Sequence, residues 1–262
     1  MDLDLSNHHA VVCGSSQGIG RAIALELATL GATVTVMARN PERLESVVRE
    51  MHERNAREHD MIVADFSEAA QVKMAIDQFV GKGNIADILI NNTGGPPAGP
   101  AIEAKTQEFV SAFESHLLCN QILTQALVPG MKGKGFGRIV NIISTSVKQP
   151  IAGLGVSNTI RGAVANWAKT LAGELGPFGI TVNNVLPGMT RTIRLESIIK
   201  NRAEKQGVDA DQIAEAMKNE TPAKRFADSS EIAAAVGFLA SPAAGYINGI
   251  NLPVDGGRTR SL

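Results

Sequence analysis

The chain has 262 residues, 44% hydrophobic and 19% charged, so it can build a sizeable core and is not a disordered sequence. Its formal net charge of −1 removes the electrostatic case for a nucleic-acid or anionic-membrane partner. Cys13 and Cys119 lie outside any CxxC or Cys/His cluster, no apolar run approaches ~18 residues, and the start, with Asp2 and Asp4, lacks a signal-like pattern; the expectation is a cytoplasmic protein with no metal, disulfide framework or membrane span.

Ala10 to Cys13 reads as a short buried strand. Gly18 to Leu30 follows, with Ile19, Ile23, Leu27 and Leu30 at helical spacing and Gly31 as the stop. Thr33 to Met37 is a β-branched strand, and Pro41 opens the next helix in the first-turn position that suits it. Met61 to Ala64 and Ile85 to Ile90 are strands on either side of a helix from Glu68 to Val80. Thr106 to Val128 is a long helix ending near Pro129-Gly130. Arg138 to Ile143 is a strand, Val156 to Leu175 a second long helix stopped by Gly176-Pro177, and Ile180 to Val185 another strand. Residues 189–228 read as a charged helical lid inserted before a last helix and a last strand, Ile250 to Val254. The alternation predicts an α/β fold: a single Rossmann-type domain over 1–262, with a doubly wound parallel sheet of about seven strands and helices on both faces.

The first strand runs into Gly14-Ser15-Ser16-Gln17-Gly18-Ile19-Gly20, which opens a helix. Glycines there permit a tight turn and close backbone approach, and a helix N-terminus offers free N–H groups and a positive dipole end to a pyrophosphate. After the second strand, Ala38 fills the place where an acidic residue would bind the ribose hydroxyls of NAD, and Arg39 follows. A guanidinium suits a 2′-phosphate, so the expected cofactor is NADP(H), with NAD(H) as the alternative; the Ser15 hydroxyl is a second candidate contact to that phosphate. Asp65 reads either as an adenine contact or as a cap for the helix that follows.

The Gly-x-x-x-Gly-x-Gly spacing, Asn91-Asn92-Thr93-Gly94, Leu171 to Leu175 with Gly179 to Asn183, Pro187-Gly188 with Thr192, and Val254 to Gly257 occur in the order found in short-chain dehydrogenases/reductases. The chain resembles that family over residues 8–257, and within it the 3-oxoacyl-carrier-protein reductase-like members. The resemblance implies that Gly14, Ser15, Ser16, Gly18, Ile19, Gly20, Arg39, Asp65, Asn91, Thr93, Gly94, Arg161, Pro187, Gly188 and Thr192 serve the cofactor. It also implies a homotetramer or dimer built through the long helices and the last strand, and a small-molecule or acyl-thioester carbonyl substrate.

The family's catalytic Asn, Ser and Tyr-x-x-x-Lys are a different matter. Counted from Leu171-Ala172-Gly173-Glu174, those positions read His116, Ser144, Ser157 and Arg161. The chain's one tyrosine, Tyr246, sits beside the last strand, where packing is the role expected of it. A serine is a far weaker acid than tyrosine, and arginine holds its proton at ordinary pH. His116 reads either as the replacement proton source, with an ordinary pKa near ~6.5, or as a packed core histidine. Within the lid, Arg191, Arg194, Lys200 and Arg202 read as solvated helix charge, with an anionic or phosphopantetheine-bearing substrate as the other reading. Three activities stay open: carbonyl reduction with altered groups, cofactor sensing without turnover, and a non-redox elimination or epimerisation. Ser144-Thr145-Ser146 lacks a Gly-x-Ser-x-Gly elbow, which argues against a hydrolase.

Overall fold

A computed structural model describes residues 1–261. Among them the strands are β1 (His9–Cys13), β2 (Thr33–Ala38), β3 (Asp60–Val63), β4 (Ile88–Asn91), β5 (Gly137–Ile142), β6 (Ile180–Pro187) and β7 (Asn251–Val254). All pair in parallel, in the order β3-β2-β1-β4-β5-β6-β7. Parallel strands covered on both faces need near-continuous apolar runs, and β1, β2 and β4 have them. Strand order reverses between β1 and β4, and a ligand crevice opens at the carboxyl ends of strands at such a switch point.

The helices are α1 (Gly18–Thr29), α2 (Pro41–His52), α3 (Ala69–Gly81), α4 (Thr106–Phe113), α5 (Cys119–Lys134), α6 (Gly155–Leu175), α7 (Ile193–Gln206), α8 (Ala210–Asn219) and α9 (Ser229–Ala240). Ile23, Leu27, Leu44, Val236 and Leu239 bring α1, α2 and α9 onto one face of the sheet. Val72, Ile76, Leu123 and Ala168 bring α3, α5 and α6 onto the other. Each such fully buried side chain contributes about 1.5–3 kcal/mol relative to exposure.

A row of asparagines crosses this apolar sheet. Asn91, Asn141, Asn184 and Asn251 are register partners on β4, β5, β6 and β7. Nδ2 of Asn91 donates to Oδ1 of Asn141 at 2.9 Å, Asn141 to Asn184 at 2.9 Å, and Asn184 to Asn251 at 2.8 Å. A one-residue slip of any of these strands would break the row and bury unpaired amides, so the ladder fixes register.

Two sequence expectations need correction. The stretch from Thr106 is not one helix to Val128. A π-turn, Glu114–Leu118, separates α4 from α5, and α5 continues through Pro129 to Lys134. Pro129 lies on an exposed face, where water can satisfy the carbonyl left without its donor; Gly135, at φ +63, ends the helix instead. The second concerns β4, which starts at Ile88, leaving Ile85 48% exposed before it.

Between β6 and α9, α7 and α8 pack around a small core of their own: Leu195, Ala203, Ile213, Met217 and Phe226. Its base is held by Arg191 N–H donating to Ala227 O and Ala227 N–H to Met189 O, both at 2.9 Å. None of the helices among the described residues is long and apolar enough to cross a membrane.

Candidate active site

The glycine loop closes against the end of β4. Asn92 Nδ2 donates to Cys13 O at 3.3 Å and to Gly14 O at 3.2 Å. Gly14 has φ +57, and a Cβ there would lie 2.5 Å from Asn92 O; a Cβ on Gly20 would lie 2.2 Å from Gly14 O. Neither position accepts a side chain. The loop delivers the chain into α1, whose N-cap Gln17 makes no side-chain cap and whose first turn holds no acid. Free N–H groups and the positive dipole end thus meet no competing carboxylate, as an anionic bridge requires. Ser16, Gly18 and Ile19 are half-buried at this opening. Thr192, just before α7, packs onto it: a Cβ on Gly18 would be 3.3 Å from Thr192 Cγ2. Thr192 also caps α7, accepting from Leu195 N–H at 3.3 Å. Pro187 and Gly188 end β6 behind it, with Gly188 N–H on Val254 O at 2.9 Å.

The structure gives Ser15 a different role from the one expected. Its buried hydroxyl donates to Val12 O at 2.8 Å and accepts from Met37 N–H at 3.0 Å. It fastens the loop to β1 and β2 and has no reach to a phosphate. Arg39 is in the open, its side chain 78% exposed and 3.9 Å from the Asp65 carboxylate. The sequence reading missed its neighbour Arg43, which donates through Nη1 to Gln17 Oε1 at 2.6 Å and so stands over the glycine loop. The Arg-x-x-x-Arg spacing across the start of α2 was the available signal. Asp65 is not the cap of α3: its Oδ1 accepts from Ser67 N–H at 3.0 Å, one turn before the N-cap residue Glu68. That backbone bond lowers its pKa, against the opposing effect of burial.

Asn91 also differs. Its side chain lies in the sheet ladder, 2% exposed, and does not project into the crevice. Thr93 does face the site and bonds through Oγ1 to Nδ1 of His116. The π-turn swings His116 inward to 2% exposure. Burial, then the charges of Arg161 and Arg194, hold its pKa down to about 2. An imidazole poised near neutral pH was one expectation from the sequence; the surroundings instead keep it neutral. Gly94 is exposed at the mouth.

Helix α6 packs on both the π-turn and the short turn after β5. Ser144 caps that turn, accepting from Ser146 N–H at 3.1 Å. Ser157 and Arg161 sit one helical turn apart on α6, each 8% exposed. The Ser157 hydroxyl makes no hydrogen bond among the described residues. Arg161 Nη1 donates to Ile142 O at 3.1 Å, at the carboxyl end of β5. Burial and the charge of Arg194 bring the Arg161 pKa down to about 10, which leaves it cationic at neutral pH. The loop Gly94 to Pro100 is pinned to the start of α6, with Gly99 N–H on Gly153 O at 2.7 Å and Gly155 N–H on Gly99 O at 2.9 Å. Tyr246 neither packs nor approaches this site. It is fully exposed at the opposite edge of the sheet, next to Asn248, which bonds Val182 near the start of β6.

Residues 14–259 match the family model described as enoyl-(acyl carrier protein) reductase. The NADPH-dependent reductase BacG of Bacillus subtilis is 30% identical over 98% of this chain and 100% of its own. A 3-oxoacyl-[acyl-carrier-protein] reductase of Staphylococcus epidermidis is 32% identical over 96% of this chain and 98% of its own. The L-sorbose reductase of Gluconobacter frateurii, solved with NADPH and L-sorbose, superposes with a TM-score of 0.94 at 31% identity, covering 100% of both chains. The chain belongs to the short-chain dehydrogenase/reductase family and is similar to its 3-oxoacyl-carrier-protein reductases.

Proposed function

We propose that this protein is an NADP(H)-dependent carbonyl–alcohol oxidoreductase in which Ser144, Ser157, Arg161 and His116 take the places of the family's catalytic groups. One observation carries the reading: Arg161 on Ile142 O, Ser144 two residues later, and His116 on Thr93 converge at the carboxyl ends of β4 and β5, beside the glycine loop. The residues fit the coenzyme. Gly14 and Gly20 leave backbone exposed to a pyrophosphate, Arg39 and Arg43 suit a 2′-phosphate, and Thr192 with Pro187 and Gly188 borders the nicotinamide end. NADPH as the cofactor of BacG and of the L-sorbose reductase supports that choice over NAD(H).

The bound coenzyme supplies or accepts a hydride. Ser144 and Ser157 orient the substrate oxygen by hydrogen bonding. Arg161 would place a fixed positive charge beside the oxygen as it gains negative charge, and its remaining N–H groups would be free to hold a ribose hydroxyl. A neutral His116 is a hydrogen-bonding group, not an imidazolium acid, so the final proton would come from bulk solvent, relayed by water that replaces the proton it gives up. A homo-oligomer belongs to this reading; Val110 and Phe113 on α4 and Leu118 in the π-turn leave apolar surface, at 54%, 39% and 40% exposure.

The test mixes protein and NADPH with ketones, aldehydes and 3-oxoacyl thioesters. Loss of NADPH absorbance matched by alcohol formation supports the reading. Binding without consumption across the panel supports a cofactor-sensing protein instead, a second reading that the absence of tyrosine from the site favours.

A further inference from the structure

Two guanidinium groups border the site, each held by backbone carbonyls. Arg161 is 8% exposed and has one protein hydrogen bond, to Ile142 O. Arg194, in the first turn of α7, donates through Nη1 to Gly95 O and through Nη2 to Pro96 O, both at 3.1 Å. Gly95 leaves room for it: a Cβ there would be 2.8 Å from Arg194 Nη2. Neither arginine forms an ion pair among the described residues, although Arg21, Arg39, Arg191, Arg225 and Arg258 all do. The two cations also act on the same neighbour, since both depress the proton affinity of His116, which therefore adds no negative charge.

Burying a cation without a partner is costly. Arg161 is that case, and Arg194, itself exposed, is steered to the same mouth by the carbonyls of Gly95 and Pro96, around the place where Ser144 and Ser157 would receive a carbonyl. Arg194 is exposed, as its charged helical segment suggested, and its fork also reaches across to the loop after β4. Such an arrangement is completed by an anionic ligand, and planar forks match a carboxylate.

We propose that the substrate is an oxo acid carrying a carboxylate close to its reducible carbonyl, and that Arg194, supported by Arg161, binds that carboxylate. This rests on the reductase reading above and narrows it: neutral ketones and thioesters are the poorer substrates. The other source of anionic oxygen is the coenzyme's own phosphate, and the experiment separates the two.

Wild type and Arg194→Gln, each checked for an intact melting transition, are compared in three measurements. NADPH affinity is measured by calorimetry. Binding of oxamate, an unreactive 2-oxo-acid mimic, is measured on the NADP⁺-loaded protein. Turnover is measured on 2-oxo and 3-oxo acids against their methyl esters. The expected result is that acids exceed esters in kcat/KM by about tenfold or more, and that Arg194→Gln loses this preference and about tenfold of oxamate affinity with NADPH affinity unchanged. Arg194→Lys should fall between the two, keeping the charge without the fork. If the variant weakens NADPH as much as oxamate, the guanidinium serves the coenzyme and the proposal is wrong. Wild type that binds NADPH but ignores oxamate and turns over esters as readily as acids also overturns it, while leaving the reductase reading intact. Absence of NADPH binding would remove both.

Discussion

Thr93 Oγ1 and His116 Nδ1 share a hydrogen bond that ties the end of β4 to the π-turn between α4 and α5. Burial at 2% exposure, with the charges of Arg161 and Arg194, keeps the imidazole neutral in the fold, its pKa about 2 where an unfolded histidine has about 6.5. His59, which accepts from Val34 N–H, is likewise pushed down to about 4 by burial and by His52. Below about 6.5 the unfolded chain takes up protons that these two side chains in the native state refuse. Stability is therefore complete above that pH and falls as pH drops, by at most about 1.4 kcal/mol per unit for each group. Melting temperature measured from pH 7 down to about 4.5 should decline, and His116→Asn should flatten the decline. An unchanged slope in the variant would show that His116 titrates normally.

The glycine loop has almost no tolerance. In Gly20→Ala the new methyl carbon would start 2.2 Å from Gly14 O, which is backbone and has nowhere to go. The loop must open or the first turn of α1 must move, and either displaces the N–H groups aimed at the pyrophosphate. The variant should lose about a hundredfold or more in NADPH affinity, read by fluorescence titration. A variant binding within a factor of about two of wild type would show that the loop does not form the phosphate site.

Arg39 and Arg43 offer a selectivity test. Replacing each with Ala should weaken NADPH by about tenfold, since one charge-assisted contact is worth about 1.5–3 kcal/mol where it is partly shielded and less in the open. NADH, which lacks the extra phosphate, should bind equally well to wild type and both variants. Parallel losses for the two coenzymes would mean that the arginines act on the loop, not on the phosphate.

The asparagine ladder makes a stability prediction far from any ligand. Asn141 both accepts from Asn91 and donates to Asn184. Asn141→Leu would orphan both neighbours inside the sheet, at about 1–3 kcal/mol each. Chemical denaturation should show a loss of about 2–5 kcal/mol, and Asn141→Gln should not restore it, because the longer side chain misses the register. A loss under about 1 kcal/mol would show the ladder to be dispensable.

Much of this architecture could be read from the sequence because its signals are local. Continuous apolar strands, helical spacing in α1 and α6, and Pro41, Gly31 and Gly176 as punctuation gave the alternation from which the parallel sheet follows. Pro129 misled because a proline on an exposed helical face does not end a helix. The individual fates of Ser15, Asn91, His116 and Arg194 were not legible, since each is decided by a partner distant in the chain. Ser15 is engaged by Met37, His116 by Thr93, and Arg194 by Gly95 and Pro96. Asn91 belongs to a ladder that exists only once strand register is known. The proposed substitutions at the catalytic positions needed only an anchor in Leu171 to Glu174 and a count, but the charge balance around Arg161 needed the fold.

The most direct measurement is calorimetric titration of the purified protein with NADPH and, separately, NADH. The account predicts saturable binding of NADPH, about tenfold or more tighter than NADH because of the extra phosphate beside Arg39 and Arg43. Absence of binding heat for both coenzymes at several temperatures would contradict it.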